Sequence, residues 1–427
     1  MIKIGVCGFG TVGQSFVDHV LAYQDKIIEN CGREICISII ADRSIEKKKF
    51  KSESIQFTSD ILSVNNSDCD VIVELIGGTD IAYDLVKSAI LKKKSVITAN
   101  KALIAEKGDE LLALSKENNT YIGYEASVAG AIPIINTLKH NMLNENIISL
   151  SGIINGTCNY ILDQMSSERK GFKEALNSAQ ELGYAEADPT FDIGGFDAAH
   201  KISVLSMIAF GIPSPYENIH IEGIESIDSM DIDYANELGY KIKHIATARS
   251  NNSQIECKVH PALINNKNIL SKIDGVMNAV RTVGDKFGTS LLYGHGAGGA
   301  ATASAVVSNI IDYCIHVDRK VKNISNSIAA HRKDLVTIED TSNQYYLRMF
   351  ANDVPGVMAD ITSTLAEHKI SIEAVTQHEP LENEKLIPIV MITNSVVFKD
   401  MLSAIKTIES MDNIVGKVNL IRVFNDD

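Results

Sequence analysis

The chain opens on MIKIGVCGFGTVG, residues 1–13, and this stretch determines the predicted fold of the first domain. Its apolar, β-branched start, residues 2–8, is typical of a buried strand, and the glycines that follow match the pattern GxGxxG. Between a strand and a helix, such glycines let the backbone approach a pyrophosphate, which binds at the helix N-terminus. A tight glycine turn without a ligand has the same pattern, but the strand–turn–helix setting favours a dinucleotide site. Its predicted residues are Gly8, Phe9, Gly10, Thr11, Val12 and Gly13.

Short apolar runs alternate with amphipathic segments through the rest of the first third of the chain. The runs are IKIGVCG, EICISIIAD, DVIVELIGG, KSVITANK and TYIGYEAS. Between the first two, Val12, Phe16 and Val20 recur at the spacing of one helix face. Such alternation predicts the α/β class, with a Rossmann-like, doubly wound parallel sheet.

Polar residues and glycines follow several of the predicted strands, at the edge where open α/β sheets bind their ligands. Asp42 is suited to accept a hydrogen bond from a ribose hydroxyl, whereas Arg43 is suited to a 2′-phosphate, so NAD and NADP both fit. Asp42 also lies farther from Gly13 than is usual, which is compatible with a surface ion pair. Gly77 and Lys101 follow two later strands, and Lys101 is equally compatible with an exposed surface lysine.

The composition disfavours several classes of protein. The 427 residues carry a formal net charge of −14, which disfavours a nucleic-acid or anionic-membrane partner. The seven cysteines lack CxxC spacing, so neither a zinc site nor a disulfide framework is predicted, and a reducing cytoplasm fits them. No apolar run approaches the roughly 20 residues that span a bilayer, and the first residues have the pattern of a strand rather than of a leader.

The remaining chain divides into four predicted segments. Residues 129–299 combine longer helices with strands and are predicted to form a substrate-binding and dimerisation domain. The segment 300–318 is predicted to return to the nucleotide domain of residues 1–128, and the polar segment 319–344 to be a linker. Residues 345–427 show the order βαββαβ, which predicts a ferredoxin-like module.

The stretch GYAEADPTFDIGGFDAAHK, residues 183–201, places four carboxylates before a single lysine. Asp197 and Lys201 are four residues apart and share a helix face, on which Leu205 and Ile208 follow. A solvated ion pair would explain the two charges alone, but the apolar continuation predicts a partly buried amine suited to proton transfer. Because the surrounding acids would attract an ammonium group, the predicted substrate is an amino acid.

The carboxylate of such a substrate needs hydrogen-bond donors, and residues 155–157, NGT, supply them. They open a predicted helix whose first N–H groups have no acceptor inside the helix, so Gly156 and Thr157 are predicted to bind the substrate. With the dinucleotide site, these features indicate a nicotinamide enzyme that oxidises an amino-acid side chain, with lysine as the proton shuttle. The alternative is a non-catalytic sensor of nucleotide and amino acid, but a sensor would need neither Lys101 nor Lys201.

Four motifs together resemble the homoserine dehydrogenase family. They are GFGTVG, NGTCNYIL, ELGYAEADPTFDIGGFDAAHK and GHGAGGAATASAV, and the resemblance covers essentially the whole chain. It implies reversible, NAD(P)-dependent interconversion of L-homoserine and L-aspartate 4-semialdehyde, on the route to threonine, methionine and isoleucine. Another amino-acid dehydrogenase on the same scaffold is the nearest alternative, and the long acidic motif disfavours it.

The resemblance also implies roles for individual residues around the substrate. Lys201 is the expected catalytic acid–base, and Lys101 is expected to reach both cofactor and substrate and to contribute to catalysis. Glu186, Asp197 and the backbone of Gly183 are expected to hold the substrate.

Two further parts of the chain acquire expected ligands from the same resemblance. The late glycine cluster, which includes Gly296, is expected to approach the cofactor. A structural sodium ion is expected in the turn EASVAGAIP, bound mostly through carbonyl oxygens. The implied positions are Glu125, Val128, Gly130 and Ile132.

Residues 345–427 resemble an ACT domain, with the segment DVPG, residues 353–356, before the first helix. ACT domains bind amino acids at strand–helix junctions, usually across a dimer. The resemblance therefore implies feedback control with threonine as the expected effector, contacts at Asp353 and Gly356, and a homodimer or tetramer. Alternatively, DVPG is only a favourable helix start, with aspartate as cap and proline in the first turn. An ACT module can also serve dimerisation alone.

Overall fold

The computed structural model describes residues 1–48, 50, 52–251, 254–319, 333–378 and 386–425. The first elements in chain order are β1 (Ile2–Cys7), α1 (Thr11–Ala22), α2 (Gln24–Cys31), β2 (Ile35–Ala41), β3 (Gln56–Thr58), β4 (Val71–Glu74), α3 (Asp80–Leu91), β5 (Ser95–Thr98), α4 (Lys101–Asn118) and β6 (Ile122–Gly123). The middle of the chain forms α5 (Ile134–Asn136), β7 (Ile147–Ile153), α6 (Gly156–Ser167), α7 (Phe172–Glu181), α8 (Thr190–Ile193), α9 (Phe196–Phe210), β8 (His220–Ile221), α10 (Ser229–Glu237), β9 (Tyr240–Asn251), β10 (Gln254–Asn265), β11 (Met277–Gly284), β12 (Gly288–His295) and α11 (Gly299–Arg319). The last elements are β13 (Asp334–Leu335), β14 (Ser342–Asn352), α12 (Val357–Glu367), β15 (Ile372–Gln377), β16 (Leu386–Thr393), β17 (Val396–Val397), α13 (Phe398–Glu409) and β18 (Ile414–Phe424).

These elements form two compact units, each assembled from separate segments of the chain. The first unit comprises Met1–Ile154, Ala199–Glu217 and Met277–Lys333. The second unit comprises Asn155–Ala198, Asn218–Val276 and Asp334–Asp427.

The first unit is built on a six-stranded parallel sheet. Its strand order is β3-β2-β1-β4-β5-β6, and every neighbouring pair is parallel. Ile4, Val6 and Val73 are buried with Phe16 of α1 in one core, as expected for strands covered on both faces. The predicted doubly wound sheet is confirmed. The edge strand β3 was not predicted, because its three residues, QFT, are too few and too exposed to show a pattern.

The late helix α11 belongs to the same core as the N-terminal helix. Ala303, Val306 and Ile310 of α11 are buried in the cluster that contains Phe16 and Val20 of α1. The first unit also contains the antiparallel strands β7, β11 and β12, with β11 in the middle.

The second unit contains a mixed sheet to which the C-terminal module contributes four strands. The βαββαβ module forms the antiparallel order β18-β14-β16-β15, which confirms the predicted ferredoxin-like order. Its strand β18 also pairs in parallel with β10, with Ala262 opposite Arg422 and Ile264 opposite Phe424. β10 pairs along its length with β9.

The polar segment predicted as a linker, residues 319–344, is described only in part. Residues 320–332 lie outside the described residues. Asp334–Leu335 add the short strand β13 to β10, and β14 begins at Ser342.

Strand β14 has two different faces because side chains alternate along a strand. Tyr345, Leu347 and Met349 are buried with α12 and α13, whereas Tyr346 lies in a second core with Ile232 of α10. In the described ranges, no helix has the length and apolarity needed to span a membrane.

Candidate active site

The turn after β1 has the close backbone packing that the glycine pattern predicts. Gly8 has φ +98°, in the region that favours glycine. A Cβ atom on Gly13 would lie 2.1 Å from the carbonyl oxygen of Gly8, so the turn and the helix can approach only with glycine there. Gly10 precedes α1, and the N–H groups of Thr11 and Val12 are among the first four of that helix, which have no acceptor within it. These residues fit a pyrophosphate at the start of α1.

Asp42, which follows β2, binds the glycine turn rather than pointing away from it. Its carboxylate accepts from the N–H of Phe9 at 2.7 Å and from the N–H and hydroxyl of Ser44, both at 2.7 Å. Burial opposes the charge on Asp42, but the hydrogen bonds from Ser44 and Phe9 outweigh burial and hold its pKa below the ordinary value. The neighbouring Arg43 is exposed.

Glu74, which the sequence analysis missed, organises the loops after β4 and β5. The residue is fully buried, accepts from the N–H of Ile76 at 2.8 Å and accepts from the hydroxyl of Thr98. Burial raises the pKa of the Glu74 carboxyl, against the opposing effect of the hydrogen bond from Thr98 and of the backbone N–H groups of Ile76 and Gly77. The available signal was a single acid ending the apolar strand VIVE.

The same loops place Lys101 at the start of α4. Asn100 precedes that helix, accepts from the N–H of Leu103 at 3.1 Å and donates to the carbonyl of Gly78 at 2.6 Å. Lys101 is therefore fixed beside the loop that contains Gly77, at the carboxyl edge of the parallel sheet. This edge is where open α/β sheets bind ligands.

The turn that follows β6 is buried and contains backbone carbonyl groups that accept no hydrogen bond from the described residues. Glu125 accepts from the N–H groups of Ile135 at 2.9 Å and Asn136 at 2.6 Å. Burial raises the pKa of Glu125 to about 7, although those two hydrogen bonds act in the opposite direction. Val128 is fully buried, and no described N–H or side chain donates to the carbonyl oxygen of Val128 or of Gly130. Two buried carbonyl oxygens without a donor, in the same turn as a buried glutamate, are ligand types that suit a hard cation.

Two other predicted residues lie against this turn. Ile132 is buried, and its carbonyl accepts from the N–H of Ile134 at 2.8 Å. A Cβ atom on Gly130 would lie 2.8 Å from the carbonyl oxygen of Gly296, so the late glycine cluster and this turn are in close backbone contact. The structure therefore brings Gly130 and Gly296 together.

Lys201 is buried on α9, with 8% of its surface exposed. Its Nζ donates to the carbonyl oxygen of Ile154 at 2.7 Å, and Leu205 one turn later is fully buried. The amine therefore does not extend into bulk water.

In the second unit, one asparagine gathers two of the carboxylates of the acidic motif. The amide nitrogen of Asn155 donates to Asp192 at 2.8 Å and to Asp197 at 2.9 Å. The amide oxygen of Asn155 caps α6 by accepting from the N–H of Cys158 at 2.8 Å. Asp197 is 2% exposed.

The predicted substrate residues of the second unit differ in exposure. Gly156 begins α6 and is partly exposed, whereas Thr157 is buried and its hydroxyl donates to the carbonyl of Tyr184 at 2.7 Å. Gly183 and Glu186 lie in the exposed loop after α7. Among the described residues, no hydrogen bond joins the Glu186 carboxylate to the Asn155–Asp192–Asp197 group.

The predicted effector residues lie before the first helix of the C-terminal module. Asp353 and Gly356 are exposed. The residue that precedes α12 is Gly356, and no side chain caps the helix, so the alternative in which Asp353 acts as cap is wrong.

Comparison with known proteins gives the chain its family. Models of the homoserine dehydrogenase NAD-binding domain, of homoserine dehydrogenase and of the ACT domain match residues 8–125, 133–311 and 345–410. The homoserine dehydrogenase of Pseudomonas aeruginosa is 41% identical over 99% of this chain and 98% of its own length. That of Helicobacter pylori is 41% identical over 99% of both chains.

Solved structures agree with these sequence matches. A homoserine dehydrogenase from Thiobacillus denitrificans superposes with a TM-score of 0.93 at 39% identity, covering 99% of this chain and 98% of that one. A hyperthermophilic archaeal homoserine dehydrogenase in complex with NADPH matches 74% of this chain and 98% of its own, with a TM-score of 0.64 at 29% identity. The chain belongs to the homoserine dehydrogenase family and is an NAD(P)-dependent oxidoreductase acting on a CH–OH group.

Proposed function

We propose that Lys201 is the acid–base of a reversible interconversion of L-homoserine and L-aspartate 4-semialdehyde, in the supply of threonine, methionine and isoleucine. The observation that carries this proposal is the buried amine of Lys201, held by the carbonyl of Ile154 at 2.7 Å and one helical turn after Asp197. A nicotinamide cofactor, when bound, would supply the hydride acceptor for the alcohol carbon and the hydride donor for the reverse reaction. Lys201 takes the hydroxyl proton during oxidation and returns a proton to the carbonyl oxygen during reduction.

The other residues of the proposed site bind rather than transfer protons. Asp197 and Glu186 hold the ammonium group of the amino acid, with the backbone of Gly183 beside them. Gly156 and Thr157, at the start of α6, offer backbone N–H groups to its carboxylate. Lys101 reaches both ligands from the start of α4.

The reaction is tested by steady-state kinetics in both directions, followed by nicotinamide absorbance. We expect turnover with homoserine in one direction and with aspartate 4-semialdehyde in the other. Absence of turnover in both directions, with nicotinamide still bound, would support the sensor instead.

We propose NADP as the preferred cofactor, because the Asp42 carboxylate is occupied by Phe9 and Ser44 while Arg43 is exposed. Replacing Arg43 by alanine is expected to raise the KM for NADPH about tenfold, since a charge-assisted contact to phosphate is worth about 1.4 kcal/mol or more. The KM for NADH should change little. The exposed Lys47, replaced by alanine, is the matched control. Equal changes in the KM for NADPH and for NADH would show that Arg43 does not recognise the 2′-phosphate.

We propose that a sodium ion binds in the turn of residues 125–132, with Glu125, Val128, Gly130 and Ile132 around it. The two carbonyls without a donor and the buried carboxylate support this proposal. The ion would brace the turn against the Gly296 segment and would take no part in proton transfer. Replacing sodium by choline salts should lower the melting temperature, and an unchanged value would contradict the site.

We propose that threonine inhibits the enzyme through the ACT module. Replacing Asp353 by alanine is expected to raise the threonine concentration for half-inhibition at least tenfold, because an exposed carboxylate beside α12 is suited to the effector's ammonium group. Uninhibited kcat should not change. The control is Asp400→Ala, an exposed acid in the first turn of α13. Unaltered inhibition would place the effector site elsewhere.

A point substitution is preferable to deletion of the module. Removing residues 345–427 would take away β18, which pairs with β10, and would thereby unpair one edge of that strand.

We further propose that the chain acts in the cytoplasm as a homodimer or tetramer. The described cysteines are all free thiols, which suits a reducing compartment. Light scattering gives the mass in solution and cell fractionation the location, and a monomeric mass or a secreted fraction would contradict the respective proposal.

A further inference from the structure

Both the amide oxygen and the amide nitrogen of the Asn155 side chain form hydrogen bonds, and Asn155 precedes the predicted substrate residues Gly156 and Thr157. Asn155 is 4% exposed. Its amide oxygen accepts from the N–H of Cys158, and this contact determines which end of the amide is oxygen and which is nitrogen. That nitrogen has two hydrogens, and Asp192 and Asp197 accept one each, at 2.8 and 2.9 Å. An amide in this position is therefore fixed in rotation and orientation.

The amide nitrogen of Asn155 thus bridges two carboxylates, those of Asp192 and Asp197. Oδ1 of Asp192 and Oδ2 of Asp197 each lie within 2.9 Å of it. Like charges so close repel one another, and a neutral amide donates to both without adding a charge. The two hydrogen bonds from Asn155 therefore fix the direction of one oxygen of each carboxylate.

The backbone at the same point holds the proposed acid–base. The carbonyl of Ile154, the residue before Asn155, accepts from Lys201, and Lys201 and Asp197 are one turn apart on α9. Ile154 therefore holds Lys201 through its carbonyl group, and the next residue in the chain, Asn155, holds Asp197 through its side-chain amide.

From these contacts we infer that Asn155 is a positioning residue, which orients Asp192 and Asp197 for the substrate ammonium group without itself touching the reacting atoms. The inference rests on the proposed function and adds to it a residue that sets how well the substrate is oriented. Asparagine is required because the position needs one acceptor and two donors on a short neutral side chain.

The test uses two variants of the full-length enzyme, Asn155→Ser and Asn155→Asp. Serine is nearly as good a helix cap but is too short to bridge two carboxylates, so it removes the bridge and retains the cap. Since hydrogen bonds to charged groups are among the stronger ones, we expect Asn155→Ser to lower kcat/KM for homoserine about 10- to 100-fold. The wild-type value supplies the reference at each pH, and the loss from serine should be the same from pH 6 to 9.

Asn155→Asp is expected to differ in its dependence on pH. The new carboxyl would be buried beside two carboxylates, and both effects favour its protonated form. While protonated, it donates one hydrogen bond and leaves the charge of the group unchanged. As the pH rises and this proton is lost, three carboxylates repel one another. The ratio of variant to wild-type kcat/KM should therefore fall with rising pH.

Two measurements separate positioning from a structural role. Binding of NADPH, followed by its fluorescence, and the far-UV circular dichroism spectrum should match those of the wild type in both variants. Asn268→Asp, at an asparagine that caps a short 3₁₀ turn at Leu270, is the matched control and should retain activity at every pH. Variants within twofold of wild type, or equal losses at all pH values for serine and aspartate, would overturn the inference. An inactive wild-type enzyme would instead refute the proposed function.

Discussion

Replacing Lys201 by alanine is expected to lower kcat for homoserine oxidation by about 10²- to 10⁴-fold, the usual contribution of a positioned acid–base. The amine is buried and hydrogen-bonded to Ile154, so no bulk water or flexible surface lysine takes its place readily. NADPH binding should survive, because the glycine turn proposed to bind the pyrophosphate lies between β1 and α1 and is not part of α9. The loss should therefore appear in kcat rather than in cofactor affinity.

Three measurements make this expectation specific. NADPH fluorescence gives cofactor affinity, and steady-state absorbance gives kcat. A small primary amine added to the alanine variant should restore part of the activity if the missing group is a proton carrier. Lys173→Ala, at an exposed position on α7, is the control for loss of a lysine and should behave as wild type. Near-wild-type turnover of Lys201→Ala would remove that lysine from the chemistry.

The same substitution at Lys101 distinguishes the roles of Lys101 and Lys201. Lys101 begins α4 beside the Asn100–Gly78 contact and is only partly buried. A residue that contacts both ligands should affect KM for substrate and cofactor as well as kcat. If Lys101→Ala gave the larger loss in kcat and Lys201→Ala the smaller, the roles would be exchanged.

Local patterns were sufficient to predict the elements whose signal lies within a few residues. The glycine turn after β1 and the βαββαβ order of the C-terminal module both depend on short-range spacing and periodicity. Contacts between distant residues were not predictable in this way. Asn155 was taken only as a helix start, because nothing in NGTC indicates that its amide meets Asp192 and Asp197, about 40 residues later.

Asp42 shows a second kind of limit. Asp42 was expected to accept from a ribose hydroxyl, and the donors that its carboxylate has within the chain could not be predicted. The structure has the backbone N–H groups of Phe9 and Ser44 and the Ser44 hydroxyl as donors, and the contact with Phe9, 33 residues earlier, depends on the fold. Glu74 was missed for a related reason, since an acid at the end of a strand is usually exposed, and only the fold shows that this one is buried.

The pairing of β18 with β10 likewise could not be predicted from the sequence. Both strands mix apolar and polar residues, and such patterns do not specify the partner strand. The consequence is an ACT module joined to the rest of its unit by backbone hydrogen bonds and by a buried charge cluster centred on Asp231.

That cluster links the module to α10. Asp231 is fully buried, and its carboxylate accepts from Arg348 Nε at 2.6 Å and Nη2 at 3.0 Å. It also accepts from the hydroxyl of Tyr346 at 3.1 Å and the amide of Asn419 at 2.6 Å. The same carboxylate accepts from the N–H of Asp228 in the capping box of α10. One side chain thus joins the start of a helix to two strands of the ACT module.

Replacing Asp231 by alanine is therefore expected to lower the free energy of unfolding by about 3–5 kcal/mol, because a buried guanidinium is left without its counter-charge. The double variant Asp231→Ala/Arg348→Met should recover most of this loss, since it removes both charges and retains apolar volume. Urea transitions followed by circular dichroism give the values. Asp340→Ala, which breaks the exposed pair with Lys399, is the control and should have little effect. If the single and double variants were equally destabilised, the cost would come from the lost cap and packing at α10, and not from an unpaired charge.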